Sequence, residues 1–435
     1  MAKAARHATL QRSAAIAEVA NWEDLRARAK VIRAYTLEHI DVLLQQLEVN
    51  FRGAGGVVHY ASDARSACTI LLDLARQHGV RRVVKSKSMV SEELEVNEAI
   101  QRAGLEVVET DLGEFIIQLA GERPSHITAP AIHKSTEEIA TLLSRHLGES
   151  LPPDPQALLL AARAYLRKRF LDAEMGIIGV NFAVAETGTL VVVENEGNAR
   201  LVSTLPRLLV AIMGIEKVTP ALLDLATFLR LLPRSATGQV MTSYVSLISG
   251  PYPGQELHLI VVDNGRRRIL GDPTVREILH CIRCGACMNV CPVYRIIGGH
   301  AYGWVYTGPM GAILSPLLLN AETTSDLPFA STLCGACREV CPVDIDLPRL
   351  LLELRRRAAS KVSTPSERWM MSTWAFAGKS RERFSVGGKL VRRFLRVARN
   401  LGSVQRLFPP LAGWTISRDL PLPPAQSFRE RWRKP

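Results

Sequence analysis

No stretch of this chain approaches the roughly 18 uninterrupted apolar residues that a membrane-spanning helix requires. The nearest, Ala312 to Leu319, is short and broken by Pro316. The first seven residues carry charge with no apolar run behind them, so a secretory signal is not expected and a soluble cytoplasmic protein is. No G-x-G-x-x-G follows a candidate strand and no P-loop occurs, which leaves dinucleotide and nucleotide binding without support. Cysteine is scarce, eight in 435 residues. In a chain this long, without an export signal, that argues against a disulfide framework. The length allows two or three domains with real cores.

A charge bias is also absent from most of the chain. Of 54 Lys/Arg and 42 Asp/Glu, residues 361–435 hold 16 and 4, so the first 360 residues hold 38 of each sign. The tail therefore carries the whole excess of +12. It suits an acidic partner subunit or an anionic membrane surface, or forms a solvated basic face. No nucleic-acid module accompanies it, so nucleic acid is not expected.

Seven of the eight cysteines fall into two runs. Cys281, Cys284, Cys287 and Cys291, followed by Pro292, make the full C-x2-C-x2-C-x3-C-P pattern of two-cluster iron–sulfur proteins. Cys334, Cys337 and Cys341, followed by Pro342, repeat it without the first cysteine, whose place is taken by Ser331. Cysteines three apart wrap their sulfurs around one cluster, and the fourth reaches the other cluster. That rule assigns Cys281, Cys284, Cys287 and Cys341 to cluster one, a [4Fe-4S] centre. Cys291, Cys334 and Cys337 go to cluster two, which is one thiolate short. Cluster two is then [3Fe-4S], or [4Fe-4S] with an open iron or a non-cysteine ligand. Zinc also uses C-x2-C pairs, but it needs four ligands and leaves thiolates over here. The eighth cysteine, Cys68, lies in an apolar helical stretch and reads as a small buried hydrophobe.

The rest of the chain reads as α/β plus all-α. Residues 9–50 have helical spacing of apolar residues, broken at 52–56 by a glycine-rich stretch. Strands are expected at 57–60, 82–85 and 105–109, with helices at 61–78 and from Ser91, a candidate cap. This alternation predicts a largely parallel sheet. Residues 177–194 read as two strands about a turn at Gly188, and 207–213 and 257–263 as further strands. Arg266 to Arg268 and Gly271 to Pro273 read as a linker. The 42 residues between Cys291 and Cys334 are long for a β-type ferredoxin and predict helices between the clusters. A helix is expected at 347–359 and a basic amphipathic helix at 379–401, with an extended end at 421–433. The expected domains are 1–50, N-terminal helices; 51–265, α/β; 275–358, an α-helical ferredoxin domain; and 359–435, a basic tail.

Three further segments carry a family resemblance: Lys85 to Glu93 (KSKSMVSEE), Glu109 to His126 (ETDLGEFIIQLAGERPSH) and Gly179 to Arg200 (GVNFAVAETGTLVVVENEGNAR). With the cysteine runs, they resemble the lactate utilisation protein B family, the iron–sulfur subunit of a lactate-utilisation system, over residues 20–360. The resemblance implies an α/β domain of the ribose-5-phosphate isomerase and CoA-transferase type. It implies an electron carrier that works with two partner subunits to oxidise L-lactate to pyruvate, as a component of an L-lactate dehydrogenase complex. It also implies that the three-cysteine second run is a family feature. A different 2-hydroxy acid such as glycolate, or an isomerase or CoA-transferase activity with structural clusters, are the alternatives.

Candidates in the α/β part are weaker. Glu186 sits beside the Gly188 turn, where a carboxylate could act on substrate; a turn role for Gly188, Thr187 and Thr189 is the plainer reading. His126 and His133 flank Ala129 and Pro130. Lys85, Lys87 and Ser88 follow a strand end, where an anion such as a carboxylate could be held.

Overall fold

The computed structural model describes residues 2–319, 324–362, 365–400, 424 and 426–432. It divides into two units, Met1–Arg357 and Ala358–Pro435.

Short aliphatic runs in the first unit build ten strands: β1 (Val57–Ala61), β2 (Arg82–Lys85), β3 (Glu106–Glu109), β4 (Met175–Gly179), β5 (Phe182–Val184), β6 (Thr189–Glu194), β7 (Leu208–Gly214), β8 (Val218–Thr219), β9 (Tyr244–Ile248) and β10 (Glu256–Val262). Six of them form a parallel sheet in the order β1-β10-β7-β4-β2-β3. All seven residues of β7 are buried, as a central strand covered on both faces requires. Alternation along β10 sorts its side chains by face. Ile260 and Val262 join Leu71, Leu74 and Ile100 of the helices Ala64–Gln77 and Val96–Arg102. Leu257, Leu259 and Val261 join a larger core that also holds Cys284, Cys291, Cys337 and Cys341. The cysteine loops are thus packed into the core under one face of the sheet.

The run 177–194 yields three strands rather than two. β4 belongs to the parallel sheet, and the chain then crosses to a second sheet, β8-β5-β6-β9. β8 and β9 were not visible in the sequence: β8 has two residues, and four of the five in β9 are not fully buried, so neither shows a hydrophobic run. At the β5–β6 turn Gly188 has φ +68°, and a Cβ there would lie 2.5 Å from the Phe51 nitrogen. The helix Ile40–Gly53 explains this closeness: Asn50 Nδ2 donates to the carbonyls of Ala185 and Glu186.

Two other expectations are corrected. Ser88, not Ser91, caps the helix Met89–Glu93, accepting from Ser91 N. The stretch from Arg266 is not a solvated linker. Residues Arg266–Leu270 form a short helix, and the Arg266 guanidinium is buried between Glu93 at 2.7 Å and Glu216 at 2.6 Å.

Three helices, Ala2–Ala17, Trp22–Glu38 and Ile40–Gly53, lie where N-terminal helices were expected. Beyond residue 271 the described part of this unit contains helices and no strand. Between the cysteine runs lie the helices Pro292–Ile297 and Gly308–Leu318. The second unit contains the helices Pro365–Gly378, Arg381–Asn400 and Phe428–Trp432, with Arg392 paired to Glu430 at 2.7 Å. Of the expected extended end at 421–433, positions 421–423, 425 and 433 lie outside the described residues, and Phe428–Trp432 is helical rather than extended. Among the described residues no helix is long and apolar enough to cross a membrane.

Candidate functional site

The two cysteine loops share one backbone design. Arg283 and Gly285 in the first loop have φ of +61° and +77°; Leu333 and Gly335 in the second have +56° and +88°. A short helix follows each glycine, Ala286–Val290 and Ala336–Glu339. Arg283 N donates to Cys281 Sγ at 3.4 Å, and Leu333 N donates to Ser331 Oγ at 3.1 Å. The Ser331 hydroxyl therefore occupies in its loop the place that the Cys281 sulfur occupies in the other.

The seven sulfurs form two neighbourhoods. Cys281, Cys284, Cys287 and Cys341 line one small cavity with Ile127, Ile282 and Met310. Burial, then repulsion from Cys281, Cys284 and Cys341, pushes the Cys287 thiol well up. Cys337 is pushed up to about 12 by burial and then by Cys291 and Cys334. Each run thus sends its last cysteine to the other run's group. Zinc bonds of 2.3 Å would hold four sulfurs roughly 3.8 Å apart. Among the described residues no three cysteine sulfurs come within 4.8 Å of one another. A cube of iron and sulfide, which spreads its thiolates more widely, fits this donor set better than a single ion.

The N-terminal helices hold these loops in place, which sequence reasoning missed. Arg12 Nη2 donates to the Val340 carbonyl at 2.7 Å, and Arg26 Nε to that of Cys341 at 2.9 Å. Lys30 pairs with Asp344 at 2.7 Å. Arg33, buried, donates to the carbonyls of Val218, Glu216 and Leu279. The cations lie where thiolates and sulfides would concentrate negative charge.

A cleft of about 240 Å³ lies beside the first cysteine loop. It opens at the carboxyl ends of β2, β4 and β7, where parallel sheets place their ligands. Ser86, Lys87 and Ser88 follow β2, Asn181 follows β4 and Lys217 follows β7. Ile127, Ile282 and Arg283 line both this cleft and the cysteine cavity. Arg283 stacks on Tyr306, 4.9 Å from its ring centre, and meets Glu216 at 3.4 Å. Tyr306 in turn donates to Glu93 at 2.6 Å. Glu93, Arg266, Glu216 and Arg283 thereby connect the sheet to the cysteine loop. Lys217, buried and beside Arg283, is pushed down to about 8.

The sequence candidates are dispersed. Lys87 and Ser88 reach the cleft; Lys85 does not, because its ammonium is buried against Glu109 at 2.7 Å and Glu92 at 2.9 Å. His126 accepts from Thr128 N and Ala129 N through Nδ1 and meets Asn289 Oδ1 at 3.0 Å through Nε2. Burial pushes it down to about 4, so it is a neutral strut to the first cysteine helix. His133 bridges Ser125 and Glu122. Glu186 is exposed, away from the cleft, and accepts from Leu222 N at the start of the helix Leu222–Ala236. Cys68 is half-buried and donates to the Leu94 carbonyl. Glu216 and Lys217 were not anticipated, since a Glu-Lys pair after a strand has no distinctive pattern.

The LUD domain family matches residues 44–269, and a 4Fe-4S dicluster domain matches 277–345. The C-terminal domain of lactate utilisation protein B matches 355–435. A lactate utilization protein B of Bacillus licheniformis is 43% identical across 97% of this chain and 90% of its own length. The chain belongs to the lactate utilisation protein B family. Proteins of the same name from Shouchella clausii and Bacillus subtilis are 45% and 42% identical, covering 96% and 97% of this chain and 89% of each relative. The matched dicluster domain makes the cysteine region an iron–sulfur binding region.

Proposed function

We propose that this chain is the iron–sulfur electron-transfer subunit of a cytoplasmic complex that oxidises L-lactate to pyruvate. The observation that carries this reading is the exchange of the last cysteine between the two runs. In the proposal Cys281, Cys284, Cys287 and Cys341 hold a [4Fe-4S] cluster, and Cys291, Cys334 and Cys337 hold a second, [4Fe-4S] or [3Fe-4S]. When bound, such clusters take up and release single electrons. The protein's own contribution is to bury the first site in its core, to donate backbone N–H groups to the sulfurs of Cys281 and Cys341, and to brace the loops with Arg12, Arg26 and Arg33. Hydrogen bonds and burial of this kind set the potential of a cluster.

Oxidising lactate to pyruvate releases two electrons and two protons; the reading assigns that step to work with two other lactate-utilisation subunits, as the family resemblance implies, and the relatives' shared name supports a system of several components. The basic second unit offers a surface for an acidic partner or an anionic membrane surface. The all-parallel six-stranded sheet is compatible with kinship to the ribose-5-phosphate isomerase and CoA-transferase group.

The test is anaerobic purification with iron and sulfide analysis and electron paramagnetic resonance. Two clusters per chain are expected. Lactate-dependent reduction of an artificial acceptor is expected only with the partner subunits present, and Cys281→Ala and Cys334→Ala should each abolish it. Full activity in a metal-free or zinc-loaded protein would overturn the reading.

A further inference from the structure

The cleft beside the first cysteine loop has a wall that its own protein does not satisfy. Ser86 is 2% exposed, and among the described residues its Oγ has no hydrogen-bond partner. Lys217 is 8% exposed, and among the described residues its ammonium makes no hydrogen bond or ion pair. Asn181 gives its Oδ1 to Val193 N at 2.9 Å, which leaves Nδ2 without a protein partner among the described residues. Buried polar groups are ordinarily paired, so the unpartnered Ser86 Oγ, with the Lys217 ammonium and Asn181 Nδ2 in the lining of the same cleft, marks a place for an acceptor-rich ligand.

The other charged side chains lining the cleft have protein partners, the exposed Glu196 accepting only from Asn195 N at 3.2 Å. Glu194 is fixed by the backbone nitrogens of Ala199 and Arg200, both at 2.8 Å. Asp111 caps the helix Leu112–Ala120. Lys87 donates to the Thr128 carbonyl at 2.8 Å. Arg283 is held by Glu216 and Tyr306. Lys217 is thus the cation of this lining with no protein partner among the described residues, and a monoanion is the ligand it can balance by itself. One common phosphate-binding device is not open here, because Glu194 fills the first turn of the short helix Asn198–Thr204.

The geometry points to a small-carboxylate site in this chain, in which Lys217 takes the carboxylate and Ser86 and Asn181 take an oxygen on the neighbouring carbon, the pattern of a 2-hydroxy or 2-oxo acid. Ile127, Val192 and Ile282 supply an apolar side for a short alkyl group. The choice of this acid class rests on the proposed role in lactate oxidation; the anion site itself does not. The ligand would be separated from the cysteine cavity only by the layer of Ile127, Ile282 and Arg283. Its binding is therefore coupled electrostatically to whatever charge resides there.

The experiment is isothermal titration of the full-length, anaerobically purified protein with L-lactate and pyruvate, with lactamide and propionate as controls. Both acids bind, and lactamide, which lacks the charge, does not. Propionate, which lacks the second oxygen, binds more weakly. Lys217→Met weakens acid binding at least about tenfold, the effect expected on removing a charged hydrogen-bond donor, and Lys217→Arg restores part of it. Ser86→Ala removes the preference for lactate over propionate. Iron content and the paramagnetic resonance spectrum, recorded on every sample, show separately whether the clusters are intact. Intact clusters with no acid binding, binding indifferent to both substitutions, or inorganic phosphate binding more tightly than lactate would each overturn the inference. If Lys217→Met loses iron, Ser86→Val, which fills the recess without changing charge, decides the question by the same titration.

Discussion

Ser331 shows how much one atom decides. Its hydroxyl accepts from Leu333 N as the Cys281 sulfur accepts from Arg283 N, so the loop has kept the shape of a four-cysteine site while giving up one thiolate. Arg355 fixes that loop through the carbonyls of Pro328, at 2.9 Å, and Ser331, at 2.7 Å. Ser331→Cys should therefore place a sulfur where the missing ligand belongs, without rebuilding the backbone. After brief exposure to air the wild type should show the paramagnetic signal of a three-iron cluster, because an iron without a thiolate is lost first. The variant should not show it. An equal signal in both would mean that position 331 does not face the second cluster. The sequence made this position visible through its spacing alone. The unfilled donors at Ser86, Asn181 and Lys217 had no such spacing, since they follow three different strands and meet only when the sheet forms.

At the scale of elements, legibility followed burial. β7 and β10 were readable because buried parallel strands are nearly continuous in aliphatic residues, and β1, β2 and β3 through a Val-Val pair in each between helical stretches. β8 and β9 were hidden by brevity and by partial exposure. Arg266 was misread because a run of three arginines suggests solvent, whereas the first of them closes a buried network. Burial works against the charge on Glu216, yet Arg266, Arg283 and Lys217 hold its carboxyl down to about 2. Glu216→Gln leaves two buried guanidiniums short of a counter-charge and should destabilise the protein by about 3–5 kcal/mol. Because the folded value lies below the ordinary one near 4.5, this stabilisation is complete above that pH and is lost as pH falls toward 2. The gap in melting temperature between wild type and Glu216→Gln should thus be wide at neutral pH and should narrow below about 4.5. A gap that does not change with pH would remove the charge argument. Gly188→Ala tests the hinge between the second sheet and the helix Ile40–Gly53. A positive φ costs about 1–3 kcal/mol for a residue with a Cβ, and the clash with Phe51 adds to it. Melting should fall by several degrees, and an unchanged melting point would show that the turn can relax.

At the scale of the whole chain, residues far apart in sequence make one site. The resemblance to a known family was legible over most of the length, but the N-terminal helices read as a separate preface. Instead they reach across more than 300 positions to the second cysteine run through Arg12 and Arg26. Each donates a charged hydrogen bond to a carbonyl of the segment that carries Cys341, and such bonds contribute about 1.5–3 kcal/mol. Both guanidiniums also set positive charge near a site that must bear several thiolates. In the proposed assignment Cys341 serves the first cluster while belonging to the second run, so any slack in its segment should reach both clusters. Replacing Arg12 and Arg26 together by methionine keeps much of the side-chain volume and removes both donors. The double variant should fold, retain its α/β circular dichroism, and lose iron to a chelator several times faster than wild type. Lysine at both positions restores charge without the forked donor and should recover part of the difference. Iron release unchanged in the methionine variant would show that the helices cover the loops without bracing them.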